Sequence, residues 1–350
     1  MKKIQKYDKI KGNDDTNNKD FIMTSNSNSL ILATLTRAAT AKDFNNCTIP
    51  VQLGFIGEKL VAIPLRCNTE TASQTADGLL TIPSDVKQYP AGSVVEIKLL
   101  RPLEDFHRSL IMIGSHDPLY DVIAQILSKN DTSFALKTSH VGSIGGIMAV
   151  RRSEAHMAGI HLLDEKDGSY NTAFVKKYFP NGGVRVVECV GRVQGIMTVQ
   201  GNPKQISGIS SLKNSDIPYI NRQKGSGTRI LFDYLLKKEG IHFSEIAGYD
   251  HEEFTHTEVA LQIAQGLADA GMGIYSAASL YGLDFIPICN EQYDLLIPDH
   301  AWETEMVQEF LNILKSREFS QKLTEMGGYT LENPGKVRYH LYIFTNQATR

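Results

Sequence analysis

Three absences narrow the functions open to this chain. Lysine and arginine number 36 against 39 aspartates and glutamates, so no basic excess exists to neutralise phosphates, and nucleic acid is not an expected partner. No stretch of about 18 apolar residues occurs, so no membrane span is predicted. Residues 1–28 are polar and contain no apolar signal-peptide core, which predicts a disordered tail on a cytoplasmic protein.

Cysteine is scarce, and familiar catalytic motifs are missing. Cys47, Cys67, Cys189 and Cys289 form no CxxC or Cys/His pair with metal-ligand spacing, so reduced thiols and no protein-bound metal are predicted. The sequence has no P-loop, no HExxH helix and no GxSxG elbow with a placed histidine and acid. These patterns identify no catalytic residues, and they leave open whether the chain takes part in an enzyme.

Two kinds of residue pattern divide the rest of the chain. Residues 29–103 contain five short β-branched or alternating runs separated by Gly, Pro, Asn and Asp, which predicts a small all-β barrel. From residue 107 to 338, strand-like and helix-like segments alternate instead. This alternation predicts an α/β domain that binds ligands at the carboxyl ends of its strands.

Three predicted strand-to-helix turns in the α/β region combine a hydroxyl residue with glycine. They are Gly114-Ser115-His116-Asp117, Val141-Gly142-Ser143-Ile144-Gly145-Gly146 and Gly225-Ser226-Gly227-Thr228. The first N–H groups of a helix lack intrahelical partners, and glycine lets an anion approach them. A single such turn is more often just a helix cap. Three of them in one cleft predict a site for a doubly charged anion without a large basic patch.

The segment Asn221–Arg229 carries a more specific signal. It places Arg222 four residues before Ser226-Gly227-Thr228, and it resembles the anion-binding segment of phosphate- and tungstate-binding proteins of the periplasmic-binding-protein type. The resemblance implies a type II two-lobed α/β fold, with lobe 1 at about 108–190 and 287–338 and lobe 2 at about 191–286. The oxyanion ligands that it implies are Ser115 with the adjacent His116, Ser143, Arg222, Ser226, Gly227 and Thr228. The alternative for Arg222 is a surface guanidinium that caps a loop.

The histidine that follows the predicted strand around Gly159 bears on which anion is bound. In phosphate binders of this kind a carboxylate at that point accepts the proton of hydrogen phosphate, whereas tungstate binders place a histidine there. His161 can present an N–H donor, which suits an anion without a proton. The resemblance thus implies molybdate or tungstate in preference to phosphate. The alternative is a core histidine satisfied by protein partners.

Three further segments of the α/β region also receive assignments. Ala268–Tyr275 is similar to a strand of molybdate binders that leads to a ligand tyrosine, and this resemblance implies Tyr275 as a candidate ligand. Arg192-Val193-Gln194 lies where the chain should cross between lobes, as a hinge or a cleft wall. His251, His256 and Glu258 precede a predicted helix, and surface or capping roles are expected for them rather than metal binding.

The first module resembles the C-terminal β-barrel of the molybdopterin molybdenumtransferase family. The similar residues are Leu35-Thr36-Arg37, Ala76–Pro83 and Ala91–Ile97. The resemblance implies an intracellular molybdate or tungstate binder that works with molybdenum-cofactor biosynthesis proteins. The catalytic domain of that family has no counterpart in this sequence. Two alternatives therefore stay open: a non-catalytic part of a molybdenumtransferase that acts with a separate catalytic subunit, and a binder of molybdopterin or a small organic anion.

Overall fold

The computed structural model of the chain describes residues 29–41, 47–65, 75–129 and 134–342. The tail predicted over residues 1–28 and Cys67 lie outside the described residues. Within these ranges, the helices are too short or too polar to cross a bilayer.

The first module is a closed five-stranded barrel, as the sequence predicts. Its strands close in the order β1-β4-β3-β5-β7, and β2 pairs with β6 in a separate two-stranded ladder. The strands are β1 (Leu30–Leu35), β2 (Ala39–Thr40), β3 (Cys47–Ile56), β4 (Lys59–Pro64), β5 (Gly78–Ile82), β6 (Gln88–Tyr89) and β7 (Val94–Leu99). Strand β7 shows why they close, since Val95, Ile97 and Leu99 alternate with exposed residues and fill the interior.

The second module is a mixed α/β structure. Its strands are β8 (Ser109–Gly114), β9 (Ala135–His140), β10 (Ala158–Ile160), β11 (Val184–Thr198), β12 (Tyr219–Arg222), β13 (Glu252–Glu253), β14 (Ala270–Ile274), β15 (Asp284–Pro298), β16 (Tyr329–Thr330) and β17 (Val337–Leu341). Its helices are α1 (Leu119–Lys129), α2 (Gly142–Arg151), α3 (Thr172–Tyr178), α4 (Gly227–Lys238), α5 (His256–Ala264), α6 (Tyr275–Leu280), α7 (Asp299–Trp302), α8 (Glu305–Leu314) and α9 (Arg317–Met326).

Two long antiparallel strands, β11 and β15, join the lobes. The sheet runs β10-β15-β11-β14-β12-β13, with β16 and β17 also pairing with β11, and a bridge from Met112 to Met157 connects the parallel pair β8-β9. The first half of β11 packs in the core of lobe 1 through Val187 and Val190, and its second half packs in lobe 2 through Ile196. The predicted crossing points at 190–191 and 286–287 both fall within these two strands.

The barrel docks on lobe 1 through apolar packing and one buried ion pair. Ile111 of β8 packs with barrel residues Ile56 and Ile63 in one core cluster. The ammonium of Lys137 on β9 donates to Asp77 of the barrel and to the carbonyl of Leu53 at 2.7 Å. Burial lowers the pKa of Lys137, and Asp77 opposes that shift.

Removing one partner of this pair should cost far more than removing a surface pair. We expect Lys137→Met to lower the free energy of unfolding by about 3–5 kcal/mol, because Asp77 would stay buried with only the half-exposed Arg101, at 3.9 Å, as a counter-charge. The matched control is Lys129→Met, which breaks an exposed pair with Glu318 and should cost less than about 1 kcal/mol. Urea unfolding measures both, and equal small losses would contradict a barrel anchored by Lys137.

Candidate functional site

The three glycine-and-hydroxyl turns meet around one residue, His161, at the end of β10. The Oγ of Ser115 lies 2.7 Å from His161 Nε2, and the backbone N–H of His161 donates to Ser143 Oγ at 3.1 Å. The third turn arrives from the other lobe, where a Cβ added to Gly227 would lie 2.3 Å from the carbonyl oxygen of His161. Turns from both lobes therefore share one buried crevice.

The sequence at each turn explains the close approach of the lobes. Ser226 caps α4 by accepting a hydrogen bond from the N–H of Arg229 at 3.1 Å. Gly142 has a φ of +77°, and a Cβ there would lie 2.9 Å from the carbonyl oxygen of Gly225. Glycine is thus required at Gly142 and Gly227 because backbone from the two lobes passes without room for a side chain.

A methyl group at Gly227 should hold the lobes apart. We expect Gly227→Ala to lower affinity for any ligand enclosed by both lobes by about 100-fold or more, since the added Cβ overlaps His161 and closure must be incomplete. Small-angle scattering should show a larger radius of gyration for this variant in the presence of ligand. Gly208→Ala, in lobe 2 with open space around it and an extended backbone, is the control. Full closure of Gly227→Ala would contradict this geometry.

Ser115, His161 and Glu291 form a chain of hydrogen bonds that the sequence did not predict. His161 Nδ1 lies 2.7 Å from Glu291 Oε2 on β15. Burial alone would raise the pKa of Glu291, but Arg192 and His161 outweigh it and hold the pKa at about 2. Burial, together with Arg192 and Arg222, lowers the pKa of His161, although Glu291 opposes the shift. Ionised Glu291 therefore accepts from Nδ1–H, and the lone pair on Nε2 accepts the hydroxyl proton of Ser115.

This Ser–His–Glu order is also that of a nucleophilic serine. Two features argue against catalysis by it. Ser115 is only 1% exposed, and its own N–H donates to the carbonyl of Gly159, so that amide is not free to stabilise an oxyanion.

Arg192 is a structural charge paired with two carboxylates rather than a vacant cleft contact. Its guanidinium donates to Asp117 at 2.6 Å and to Glu291, and it lies over the ring of Tyr293 at 4.3 Å. Burial lowers the pKa of Arg192, but the two carboxylates more than offset it and the net shift is upward. Two residues along the strand, Gln194 donates to Thr228 Oγ1 at 2.8 Å. The predicted crossing segment thus ties the two lobes together.

Arg222, unlike Arg192, is buried without a carboxylate partner among the described residues. It ends β12 with 1% exposure, and its Nη2 donates to the carbonyl of Phe254 at 2.9 Å. Its Nε and Nη1 have no hydrogen-bond partner among the described residues, and no described carboxylate lies within ion-pair distance of it. Burial and the nearby Arg192 lower the pKa of Arg222 to about 10. The predicted surface alternative for this arginine is therefore wrong.

Two histidines complete the crevice with further unpartnered nitrogens. Within the described part of the chain, His116 Nδ1 and both ring nitrogens of His256 lack partners. The ring of His256 lies 6.2 Å from that of His116 and 6.4 Å from that of His161. Burial, then neighbouring cationic and imidazole groups, lower the pKa of His116 and of His256 well below the ordinary value. Both rings are neutral at pH 7.

The expectation of a surface or capping role for His256 is thus wrong. The cap of α5 is Thr255, whose Oγ1 accepts from the N–H of Glu258 at 2.9 Å, while His256 turns inward and His251 is exposed. No signal in the sequence separated His256 from His251. The histidines of the crevice do not form a metal cage: among the residues described, no group of three or more His, Cys, Asp or Glu side chains could hold an ion.

Tyr275 lies outside the crevice. Its ring is 40% exposed and packs edge-on against Phe285, because α6 begins at this residue and turns the side chain outwards. The next residue, Ser276, is buried and lies 3.0 Å from the hydroxyl of Tyr329, which donates to Asp117. The structure therefore does not bring Tyr275 together with the other candidate residues, and the neighbouring Ser276 supports the frame around Arg192.

The hydroxyl groups predicted as ligands are all present in the crevice, but each has a protein partner. Ser115 bonds to His161, Ser143 to the His161 amide, Ser226 to the Arg229 amide and Thr228 to Gln194. Among the described residues in and beside the crevice, the side-chain atoms without partners are Arg222 Nε and Nη1, Arg192 Nε, Gln223 Nε2, His116 Nδ1, both ring nitrogens of His256 and the amide oxygen of Gln194.

Comparison with known proteins places this architecture in a family. A family profile described as the PBP superfamily domain (PBP-like) matches residues 124–315, and the profile does not extend over the barrel. The chain belongs to this family, and it displays the two-lobed type II α/β fold. It is 30% identical over 261 residues to the uncharacterized protein YvgK of Bacillus subtilis (strain 168). The aligned region covers 72% of this chain and 84% of that protein.

Solved structures resemble the α/β module at low identity. A putative phosphate ABC transporter substrate-binding protein with bound phosphate, from Clostridium perfringens, aligns over 64% of this chain and 99% of its own, with 14% identity and a TM-score of 0.49. The tungstate-binding protein TupA from Desulfovibrio alaskensis G20 aligns over 64% of this chain and 98% of its own, with 16% identity and a TM-score of 0.44.

Proposed function

We propose that this protein binds one small, doubly charged oxyanion between its lobes, with Arg222 as the principal charged contact. The observation that carries the proposal is the uncompensated guanidinium. Arg222 is fully buried, yet two of its nitrogens face no protein acceptor among the described residues. Burying a charge without a partner is costly, so a folded protein retains such a group where an absent anion completes it.

The surrounding donors fit an anion rather than a cation. Each neutral imidazole offers one N–H, and the amide of Gln223 offers two, while Arg222 offers charged donors in a planar fork. The carboxylates of the crevice, Asp117 and Glu291, are already engaged by Arg192 and present no free negative charge. The donors come from both lobes, so a bound anion would stabilise the closed form.

Within oxyanions, we propose molybdate or tungstate as the ligand. The unpartnered N–H groups of Arg222, Gln223 and one nitrogen of His256 are donors, which suit an anion that carries no proton of its own. Calorimetry of the purified protein with molybdate, tungstate, sulfate and phosphate tests this. Binding of molybdate or tungstate at least about tenfold tighter than phosphate is expected. No heat with any of the four would overturn the proposal, and binding of phosphate alone would overturn the preference.

We further propose a cytoplasmic role in molybdenum-cofactor assembly, supported only by the likeness of the barrel to part of a molybdenumtransferase. The same likeness supports a second candidate, in which the chain serves a separate catalytic subunit as a non-catalytic part of that enzyme. Co-purification from cells distinguishes the two. A stable complex with a molybdenumtransferase catalytic subunit favours the second, whereas free protein loaded with an inorganic anion favours the first. Retention of molybdopterin in the crevice would replace both with an organic ligand.

A further inference from the structure

We infer that an unprotonated dianion binds to this site together with one proton, which His161 takes up through the hydrogen-bonded chain Ser115–His161–Glu291. The inference deepens the proposed function and rests on it, because it concerns how the same crevice accommodates an oxyanion. It starts from the hydrogen-bond directions in the ligand-free crevice.

A serine hydroxyl has one proton to donate and two lone pairs. In the ligand-free protein Ser115 gives that proton to Nε2 of His161, since Nδ1–H is committed to Glu291. Ser115 therefore turns only lone pairs towards the crevice. A fully ionised oxyanion has no proton to offer those lone pairs, so the two groups repel one another unless the hydroxyl turns round.

Protonation of His161 at Nε2 reverses the direction of the Ser115–His161 hydrogen bond, and no hydrogen bond is lost. The imidazolium then donates to both of its present partners, and the hydroxyl of Ser115 is released to donate to the anion. Glu291 is positioned to stabilise the imidazolium, because one of its oxygens faces Nδ1 and the other accepts a hydrogen bond from Arg192. Turning Ser115 without the proton would instead leave the Nε2 lone pair buried and unpaired, at a cost of about 1–3 kcal/mol.

The charges that face His161 explain why the proton arrives with the anion and not before it. The ionisable groups around the ring are Glu291 and Tyr293 of β15, Arg192 of β11, Arg222 of β12 and His256 of α5. Burial and the two arginines disfavour an imidazolium, and Glu291 alone supports it. A dianion beside Arg222 removes the opposition of that arginine and adds attraction of its own.

Hydrogen phosphate needs no such proton. Its own hydroxyl can donate to the lone pairs that Ser115 presents, with His161 neutral throughout. The site is therefore able to hold either kind of anion, but only the unprotonated kind is coupled to proton uptake. At alkaline pH this coupling should weaken molybdate binding about tenfold for each pH unit, while phosphate binding should change little.

Calorimetry at about pH 8 in two buffers of different ionisation enthalpy counts the protons. With sodium molybdate, we expect uptake of about one proton for each anion bound, and with sodium phosphate uptake close to zero. Molybdate binding without proton uptake would overturn the inference while leaving the proposed function intact. Absence of binding by every anion would instead overturn the proposed function.

Variants locate the proton. In His161→Gln the side-chain amide can donate to Ser115 at any pH, so molybdate affinity should no longer depend on pH. His256→Gln should bind more weakly but keep the tenfold dependence, and the exposed His251→Gln should match the parent protein. Retention of the full pH dependence in His161→Gln would overturn the inference. Should that variant not fold, ¹⁵N spectra of the parent histidines decide, with both His161 nitrogens protonated in the molybdate complex and one in the free protein.

Discussion

Replacing Arg222 with methionine is expected to lower oxyanion affinity at least about 100-fold and to leave the free protein as stable as before, or more stable. The loss of binding follows from removing charge-assisted donors at a buried anion, each worth about 1.5–3 kcal/mol. The stability follows because no carboxylate of the described residues forms an ion pair with Arg222, so methionine in place of this buried charge removes a desolvation penalty that the more distant Glu258 and Glu291 only partly offset. Urea unfolding in an anion-free buffer and calorimetry with molybdate measure the two effects.

Arg192→Met is the matched comparison, because it removes an equally buried guanidinium that has two carboxylate partners. It should cost about 3–5 kcal/mol of unfolding free energy, as Asp117 and Glu291 would be left buried without the guanidinium that neutralises both. The two variants thus distinguish an arginine that stabilises the fold, Arg192, from one that binds the ligand, Arg222. A large loss of stability in Arg222→Met would show that this side chain serves the fold, and would contradict an anion-binding role.

Acid is expected to destabilise the ligand-free protein steeply below pH 6.5. Four buried imidazoles have lowered pKa values: His116, His161 and His256 of the crevice, and His156, whose pKa burial lowers to about 4. Unfolding frees each of them to bind a proton below its ordinary pKa of 6.5. The stability that the neutral imidazoles contribute is thus present above pH 6.5 and falls by up to about 1.4 kcal/mol per pH unit for each group.

Urea midpoints at several pH values between about 7.5 and 4 measure this slope. His156→Gln should reduce the slope by about one proton, since Nδ1 of His156 accepts the N–H of Ile111 and cannot do so once protonated. The exposed His251→Gln should leave it unchanged. Stability independent of pH between 6.5 and 5 would mean that these imidazoles carry protons in the folded state, contrary to their burial.

Local sequence signals predicted the fold and the three turns because those features are locally encoded. Glycine, proline and asparagine separate the barrel strands, and alternation along Val94–Leu99 sets which side chains face inwards. Ser226 and the glycine after it define a helix start in any tertiary context. The position of Arg192 between the lobes could be predicted from the sequence, but its two carboxylate partners could not.

The frame of the site could not be predicted because its contacts join distant parts of the chain. His161 and Glu291 are 130 residues apart, and Arg192 reaches Asp117 across 75 residues and Glu291 across 99. The same limitation hid the inward turn of His256, since either histidine near the start of α5 could cap or face the core. His161 was predicted to donate a hydrogen bond to the anion through a ring N–H. In the structure its Nε2 is instead hydrogen-bonded to the hydroxyl of Ser115.

A crystal grown with tungstate, measured at a wavelength where tungsten scatters anomalously, tests the central claim most directly. The predicted result is a single strong peak between the lobes, with its oxygens within hydrogen-bonding distance of Arg222 Nε and Nη1. An empty crevice alongside peaks elsewhere, or Arg222 paired with a carboxylate of the chain, would contradict it.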